Sequence, residues 1–436
     1  MTARKLNILF TTWDGGGNIP PVAEAVTRLI ARGHAVRVLA DETVRDVIER
    51  TGASFVPWRE APHRPDTDLA NDPLKDWLAE GPMGSIERVR DVLMTGGALA
   101  FARDTAAELD RGGYDLVVTS EMLPGCMIAA EARGVKLAIF MANVSMLPIP
   151  GIPPMGPGLT PATSDAERAL HAQITLGARA MFNAGLPALN AARAAFGLQP
   201  LSDVMDQTRV ALRKLIATSA AFDFPAAELP EGFVYIGPMA GVPVAGSGWT
   251  SPFAPQDLRP LILVSFSTTY QAQQGHIANV IAAIGRTAAR ALVTLGPAID
   301  AASFAGVPDN VRLVARAPHD TVMREAALVI THGGHGTVIR ALTHGAPVIC
   351  LPMGRDQNDN AARVDWHGAG LRLDPASSPD AIEAAIRRIF AEPDFRKQAR
   401  RLRDSLVRDI AHSPFIDEIE RLGERPGAGI DLQPAA

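Results

Sequence analysis

The sequence predicts an α/β protein built as two parallel-sheet domains, each wound like a nucleotide-binding fold, facing each other across a cleft. Three observations lead there. Short apolar runs alternate with helical stretches through the first third of the chain. A Pro/Gly/Ser-rich stretch at 237–260 then interrupts the pattern, and the alternation restarts at residue 261. Strands separated by helices of ten or more residues pair in parallel through right-handed crossovers.

The elements follow in order. LNILFTTW is an apolar strand that ends in the turn DGGGN. Val22, Val26, Leu29 and Ile30 then recur at helical spacing, and Gly33 follows as a C-terminal cap. HAVRVLA is a second strand, DETVRDVIERTG a second helix and YDLVVTS a later strand. Residues 145–162 carry too many prolines for a regular element, because each removes a donor and fixes the backbone. This loop and the Ala-rich helical stretch at 165–197 read as a wall for an acceptor. After the boundary come the strands LILVSF, ALVTLG, VRLVA, ALVIT and PVICLP, and a helical run begins at Ser378 with Pro379 in its first turn. The expected division is 1–237, a linker at 238–260, 261–412, and a tail at 413–436 that packs back on the first domain.

Composition narrows the function. The 436 residues are 47% hydrophobic and 20% charged, which is ordinary for a globular protein. A net charge of −5 gives no footprint for nucleic acid or an anionic membrane, and only five of the 42 basic residues are Lys. Cys126 and Cys350 sit in apolar runs as buried thiols, with no disulfide framework or zinc pattern. No stretch reaches the roughly 18 uninterrupted apolar residues of a membrane span. MTARKLNILF lacks the cleavage site of a signal peptide, so a cytoplasmic protein is expected.

The chemistry concentrates in LVITHGGHGTVIRALTHGAPVICLPMGRDQNDNAAR. A buried strand runs into His332-Gly333-Gly334-His335-Gly336-Thr337 and then a helix. Glycines let the backbone approach a ligand, while the helix start offers free N–H groups and the positive end of the dipole. This is an anion site suited to a diphosphate without any metal. A metal reading of His332 and His335 fails for want of a third ligand at ordinary spacing. Asp356-Gln357 follows the strand PVICLP, where α/β folds place ligands. A carboxylate beside an amide can both accept from and donate to vicinal hydroxyls, as sugar recognition requires. Asp359 and Asn360 read as solvated helix surface or caps.

This segment resembles the nucleotide-sugar signature of family 1 glycosyltransferases, which have the GT-B fold, and the resemblance extends over nearly the whole chain. It is nearest to bacterial enzymes that decorate polyketides, macrolides and other natural products. The resemblance implies that His332 and the N–H groups of Gly334, His335, Gly336 and Thr337 hold the donor diphosphate, with Asp356 and Gln357 on the sugar. It implies Ser267 and Thr268 of SFST in diphosphate contact, with Ser267 standing where the family has Gly. Where the family has Trp-x-Pro-Gln against the base, this chain has Arg316-Ala317-Pro318-His319; a guanidinium plane can also stack on a base. The co-substrate is thus a UDP- or TDP-sugar, no cofactor is expected, and an apolar small molecule accepts the sugar with inversion.

Transfer to a hydroxyl needs a base for the acceptor proton. The family's base is a His in Gly-His-x-x-Pro, and the matching residues here are Gly17-Asn18-Ile19-Pro20-Pro21. The partner carboxylate's position holds Ser120, with Glu121 next. Three routes follow: Asp14 as base with Asn18 positioning the hydroxyl, Glu121 from the neighbouring strand end, or an acidic phenol or enol that needs little help and permits attack through carbon. A dinucleotide fingerprint over Gly15-Gly16-Gly17 with Asp41 is the rival reading, spoiled by Pro20 in place of the third Gly. The same signature would also serve a nucleotide-sugar epimerase, or a non-catalytic helper that binds a nucleotide sugar.

Overall fold

A computed structural model describes residues 4–78, 81–240, 249–266, 273–296 and 299–424. Two sheets, both wholly parallel, organise them. The first has seven strands in the order β3-β2-β1-β4-β5-β6-β7. They are β1 (Asn7–Thr11), β2 (Ala35–Ala40), β3 (Ser54–Pro57), β4 (Leu116–Thr119), β5 (Lys136–Met141), β6 (Arg213–Ile216) and β7 (Phe233–Tyr235). The second has six, in the order β10-β9-β8-β11-β12-β13. These are β8 (Leu261–Ser265), β9 (Arg290–Thr294), β10 (Val311–Val314), β11 (Ala326–Thr331), β12 (Val348–Cys350) and β13 (Gly370–Arg372).

Helices cover both faces of each sheet, so the central strands are apolar along their whole length rather than alternating. Every residue of β4 and of β8 is buried. The helix Ile19–Arg32 shows the local logic. Prolines sit in its first turn, Val22, Ala25, Val26 and Leu29 face the sheet, and Gly33 ends it at φ 99°. The chain leaves β1 toward β2 on one side and resumes at β4 on the other; β8, β9 and β11 repeat the arrangement. Each reversal opens a crevice at the C-terminal strand ends, where such folds bind ligands.

The helical run from Ser378 is divided into Pro379–Ala391, Pro393–Ala411 and Phe415–Glu424. Glu392 is forced to an extended conformation ahead of Pro393, which ends the first of these. The last helix lies on the first sheet: Phe415, Ile419 and Leu422 join the core that holds Leu6, Ile8 and Phe140. Burying each such side chain contributes roughly 1.5–3 kcal/mol. Arg213 to Glu418 at 2.7 Å and Arg32 to Glu420 at 2.6 Å fix the register of that contact.

Candidate active site

The C-terminal ends of the two sheets face one another. Asn143, just beyond β5, donates to Asp356 Oδ2 at 2.9 Å. Arg355 Nη1 donates to the Gly15 carbonyl at 3.3 Å, and His335 Nε2 lies 2.9 Å from Thr218 Oγ1, just beyond β6. The loops after β1, β5, β6, β11 and β12 therefore share one cleft.

On the second sheet the glycines are dictated by close approach. A Cβ on Gly334 would lie 2.6 Å from His332 Nε2, and one on Gly333, at φ 91°, would lie 3.0 Å from the Gln357 carbonyl. Gly334 caps the helix His335–Thr343, and its carbonyl accepts from Thr337 and Val338. Gly336 is exposed, with open space where a side chain would stand. With Thr337 N so engaged, the N–H groups of His335 and Gly336 are those with no partner inside the helix. His332 is almost buried, and burial first, then the charge of Arg355, lowers its pKa to about 4. It works as a neutral imidazole near pH 7.

One expectation changes here, that for Asp359 and Asn360. The His335 side chain turns away from the helix mouth to Thr218 and the edge of Phe222, which leaves only its backbone N–H at the mouth. Gln357 is buried and its amide oxygen accepts from Met353 N at 2.7 Å, bracing the turn. Asp359 and Asn360 are not solvated helix surface. Asp359 accepts from Gly156 N at 2.8 Å, while Asn360 donates to the Gly333 carbonyl at 3.0 Å and to Asp356 at 2.9 Å. A carboxylate at Asp359 thus docks the Pro-rich loop onto the second domain, and Arg372 reinforces it through the Pro157 and Gly158 carbonyls.

At the end of β10, Arg316 is exposed and Ala317 half-buried. His319 Nε2 lies 3.3 Å from Thr294 Oγ1, and burial lowers its pKa to about 4. Ser267 and Thr268 lie outside the described residues.

On the first sheet the loop after β1 is closed on itself. Asp14 Oδ1 accepts from Gly16 N at 3.0 Å, while Oδ2 accepts from Thr43 Oγ1 at 2.7 Å and from Arg64 at 3.0 Å. Both oxygens are engaged and one is ion-paired, which corrects the assignment of Asp14 as base. Asn18 is equally occupied, accepting from Gly15 N at 3.0 Å and donating to the Trp13 carbonyl at 2.8 Å. It staples the turn. Asp41 accepts from the backbone of Asp14 and Arg64, so the carboxylate that a dinucleotide ribose would need is committed to the loop.

Glu121 differs. It is 9% exposed, its one described side-chain partner is Ser120 Oγ at 3.1 Å, and burial lifts its pKa to about 7. It follows β4, whose Thr119 meets Thr11 of β1 at 2.7 Å, so it stands beside the loop 12–18. Asn143 and Arg355 were missed in the sequence. The position of Asn143 after a parallel strand was the available signal; Arg355 offered none beyond its place before Asp356.

A pH effect follows from His335, which burial lowers to about 3. The unfolded chain protonates this imidazole near 6.5 and the folded protein does not, so its contribution is complete above 6.5 and lost as pH falls below it. In urea titrations, His335→Gln is expected to lose about 1.4 kcal/mol less per pH unit than the wild type between pH 6.5 and 4.5. Parallel curves would refute the neutral, buried imidazole.

Among the described residues no group of three or more His, Cys, Asp or Glu could hold a metal ion, and no helix is long and apolar enough to cross a membrane.

Known proteins share this architecture. Residues 278–421 match the profile described as "Erythromycin biosynthesis protein CIII-like, C-terminal domain". The chain is 27% identical over 427 residues to 4'-demethylrebeccamycin synthase of Lentzea aerocolonigenes, covering 95% of this chain and 99% of that protein. The calicheamicin glycosyltransferase CalG4 superposes with a TM-score of 0.76 at 20% identity, over 97% of this chain and 99% of CalG4. The glycosyltransferase VinC, solved in complex with DTDP, gives a TM-score of 0.67 at 19% identity, over 97% of this chain and all of VinC. These structural likenesses establish the GT-B fold.

Proposed function

We propose that this chain, a GT-B glycosyltransferase whose C-terminal domain is of the erythromycin biosynthesis protein CIII-like kind, moves a hexose-type sugar from a UDP- or TDP-sugar to a hydroxyl of an apolar small molecule such as a polyketide or phenolic. One observation carries the reading. An open helix mouth with a neutral His332 stands beside the Asp356 carboxylate and faces the loop after β1, which Arg355 reaches across the cleft.

The donor diphosphate would take the N–H groups of His335 and Gly336 and the Thr337 hydroxyl, with His332, needing no metal. Asp356 would receive sugar hydroxyls, joined by Asn143 from the other domain. Arg316 would stack on the base, and Ser267 and Thr268 complete the diphosphate site. In this reading residues 1–237 bind the acceptor and 261–412 the donor, joined by 238–260, with residues from 413 onward returning to the first domain. Glu121 takes the acceptor's proton as its oxygen attacks the anomeric carbon from the face opposite the leaving diphosphate, which inverts that carbon. The side chains of Asp14 and Asn18 keep the loop in shape.

The test is incubation with UDP-glucose and TDP-glucose and a panel of phenolic and macrolide acceptors, followed by mass spectrometry and NMR of the anomeric centre. Transfer with inversion is expected, and His332→Ala should lower kcat/KM by about 10²-fold or more. Retention in the product overturns the single displacement. Interconversion of the donor alone would indicate an epimerase, and binding without turnover a helper protein.

A further inference from the structure

The turn between β12 and the helix Gln357–Trp366 carries a charge to which the proposed transfer assigns no role. Gly354 and Arg355 lie at φ 149° and 55°. A residue with a Cβ enters the left-handed region at a cost of roughly 1–2 kcal/mol, and such positions gather where a ligand is handled. The turn is held in that shape. Gln357 Oε1 accepts from Met353 N at 2.7 Å and Gln357 N donates to the Gly354 carbonyl at 3.2 Å.

The guanidinium so placed is central to the cleft. It reaches the Gly15 carbonyl on the loop after β1, adjoins Asp356 in sequence, and lies close enough to His332 for its charge to oppose protonation of that imidazole. Apart from the Asp356 carboxylate, the described groups at the helix mouth are neutral or carry only a partial charge: an imidazole, N–H groups and a dipole end equivalent to about half a charge. A departing nucleoside diphosphate brings a full extra negative charge to the same place.

We propose that Arg355 binds the donor diphosphate and carries the charge of the leaving nucleoside diphosphate, while its bond to Gly15 ties that site to the acceptor domain. The proposal rests on the nucleotide-sugar reading. In the transfer, a bond forms between the acceptor oxygen and the anomeric carbon as the bond from that carbon to the phosphate oxygen breaks. The electron pair stays on the diphosphate, whose terminal oxygen gains the charge, and the acceptor proton passes to Glu121. A guanidinium fork matches two phosphate oxygens at once, which an ammonium cannot.

Arg355→Gly separates charge from shape, because glycine takes φ 55° without strain and should not weaken the fold. Calorimetry with UDP, TDP, uridine and thymidine, together with turnover, tests the proposal. Arg355→Gly is expected to melt no lower than the wild type and to lose at least tenfold in UDP or TDP affinity. Nucleoside binding should be unchanged and kcat should fall on the order of 10²-fold. Arg355→Lys should recover part of each. If Arg355→Gly binds diphosphates and turns over like the wild type, the proposal is overturned and the nucleotide-sugar reading stands. If the wild type itself binds neither UDP nor TDP, that reading fails and takes the proposal with it.

Discussion

Glu121→Gln is expected to lower kcat by about 10²–10⁴-fold while leaving UDP and TDP affinity intact. The side chain keeps its size and its contact with Ser120 but loses the ability to accept a proton. A base works best when its pKa lies near the working pH, and burial brings Glu121 to about 7. The free-enzyme kcat/KM should therefore rise with pH through about 7, as the carboxyl ionises, and this limb should vanish in the variant. Stability should move the other way. A carboxyl whose pKa is raised by folding contributes stability below its unfolded value of 4.5 that is lost as pH climbs through about 7. Glu121→Gln removes that loss, so at pH 8 the variant should gain up to about 3 kcal/mol in denaturant titrations. Wild-type turnover across pH 6–8 would remove Glu121 as base and leave an acceptor acidic enough to need none.

Arg363→Met is expected to cost about 3–5 kcal/mol and to lower the melting temperature on the order of 10 °C. Arg363 and Asp223 are 5% and 1% exposed at the side chain and meet at 2.7 Å across the junction of the two halves. Tyr235 also donates to Asp223 at 2.8 Å, and the guanidinium lies 4.5 Å above the Phe224 ring. Removing one partner strands a carboxylate out of water, and that desolvation, more than the lost attraction, sets the size of the effect. The combination Asp223→Leu, Arg363→Met and Tyr235→Phe should therefore recover most of the loss. An unchanged unfolding midpoint for Arg363→Met alone would show that the pair is not desolvated in solution.

The second-domain side of the cleft was largely legible in the sequence, because its signals are local. Glycines between a buried strand and a helix, followed some twenty residues later by Asp356-Gln357, lie within one stretch of chain. The first-domain side was not. Asp14 and Asn18 are polar residues on the expected turn, and nothing in their neighbourhood reveals that every oxygen is already taken. One of the two donors to Asp14 Oδ2 is Arg64, 50 residues away. Asp359 looks like helix surface until the Pro-rich loop, 203 residues distant, lays its N–H against it.

By itself, then, the sequence determined two parallel sheets with punctuating glycines and prolines, and a glycine-lined helix mouth after β11. These depend on periodicity and backbone freedom, which neighbouring residues set. Only the tertiary structure decided which carboxyl remains protonatable near 7, which histidine faces the cleft and which is buried against Thr218, and that Arg355 and Asn143 bridge the halves. Burial and hydrogen-bond partners govern those outcomes, and the partners, 340 residues apart for Arg355 and Gly15 and 213 for Asn143 and Asp356, meet only when the sheets face one another.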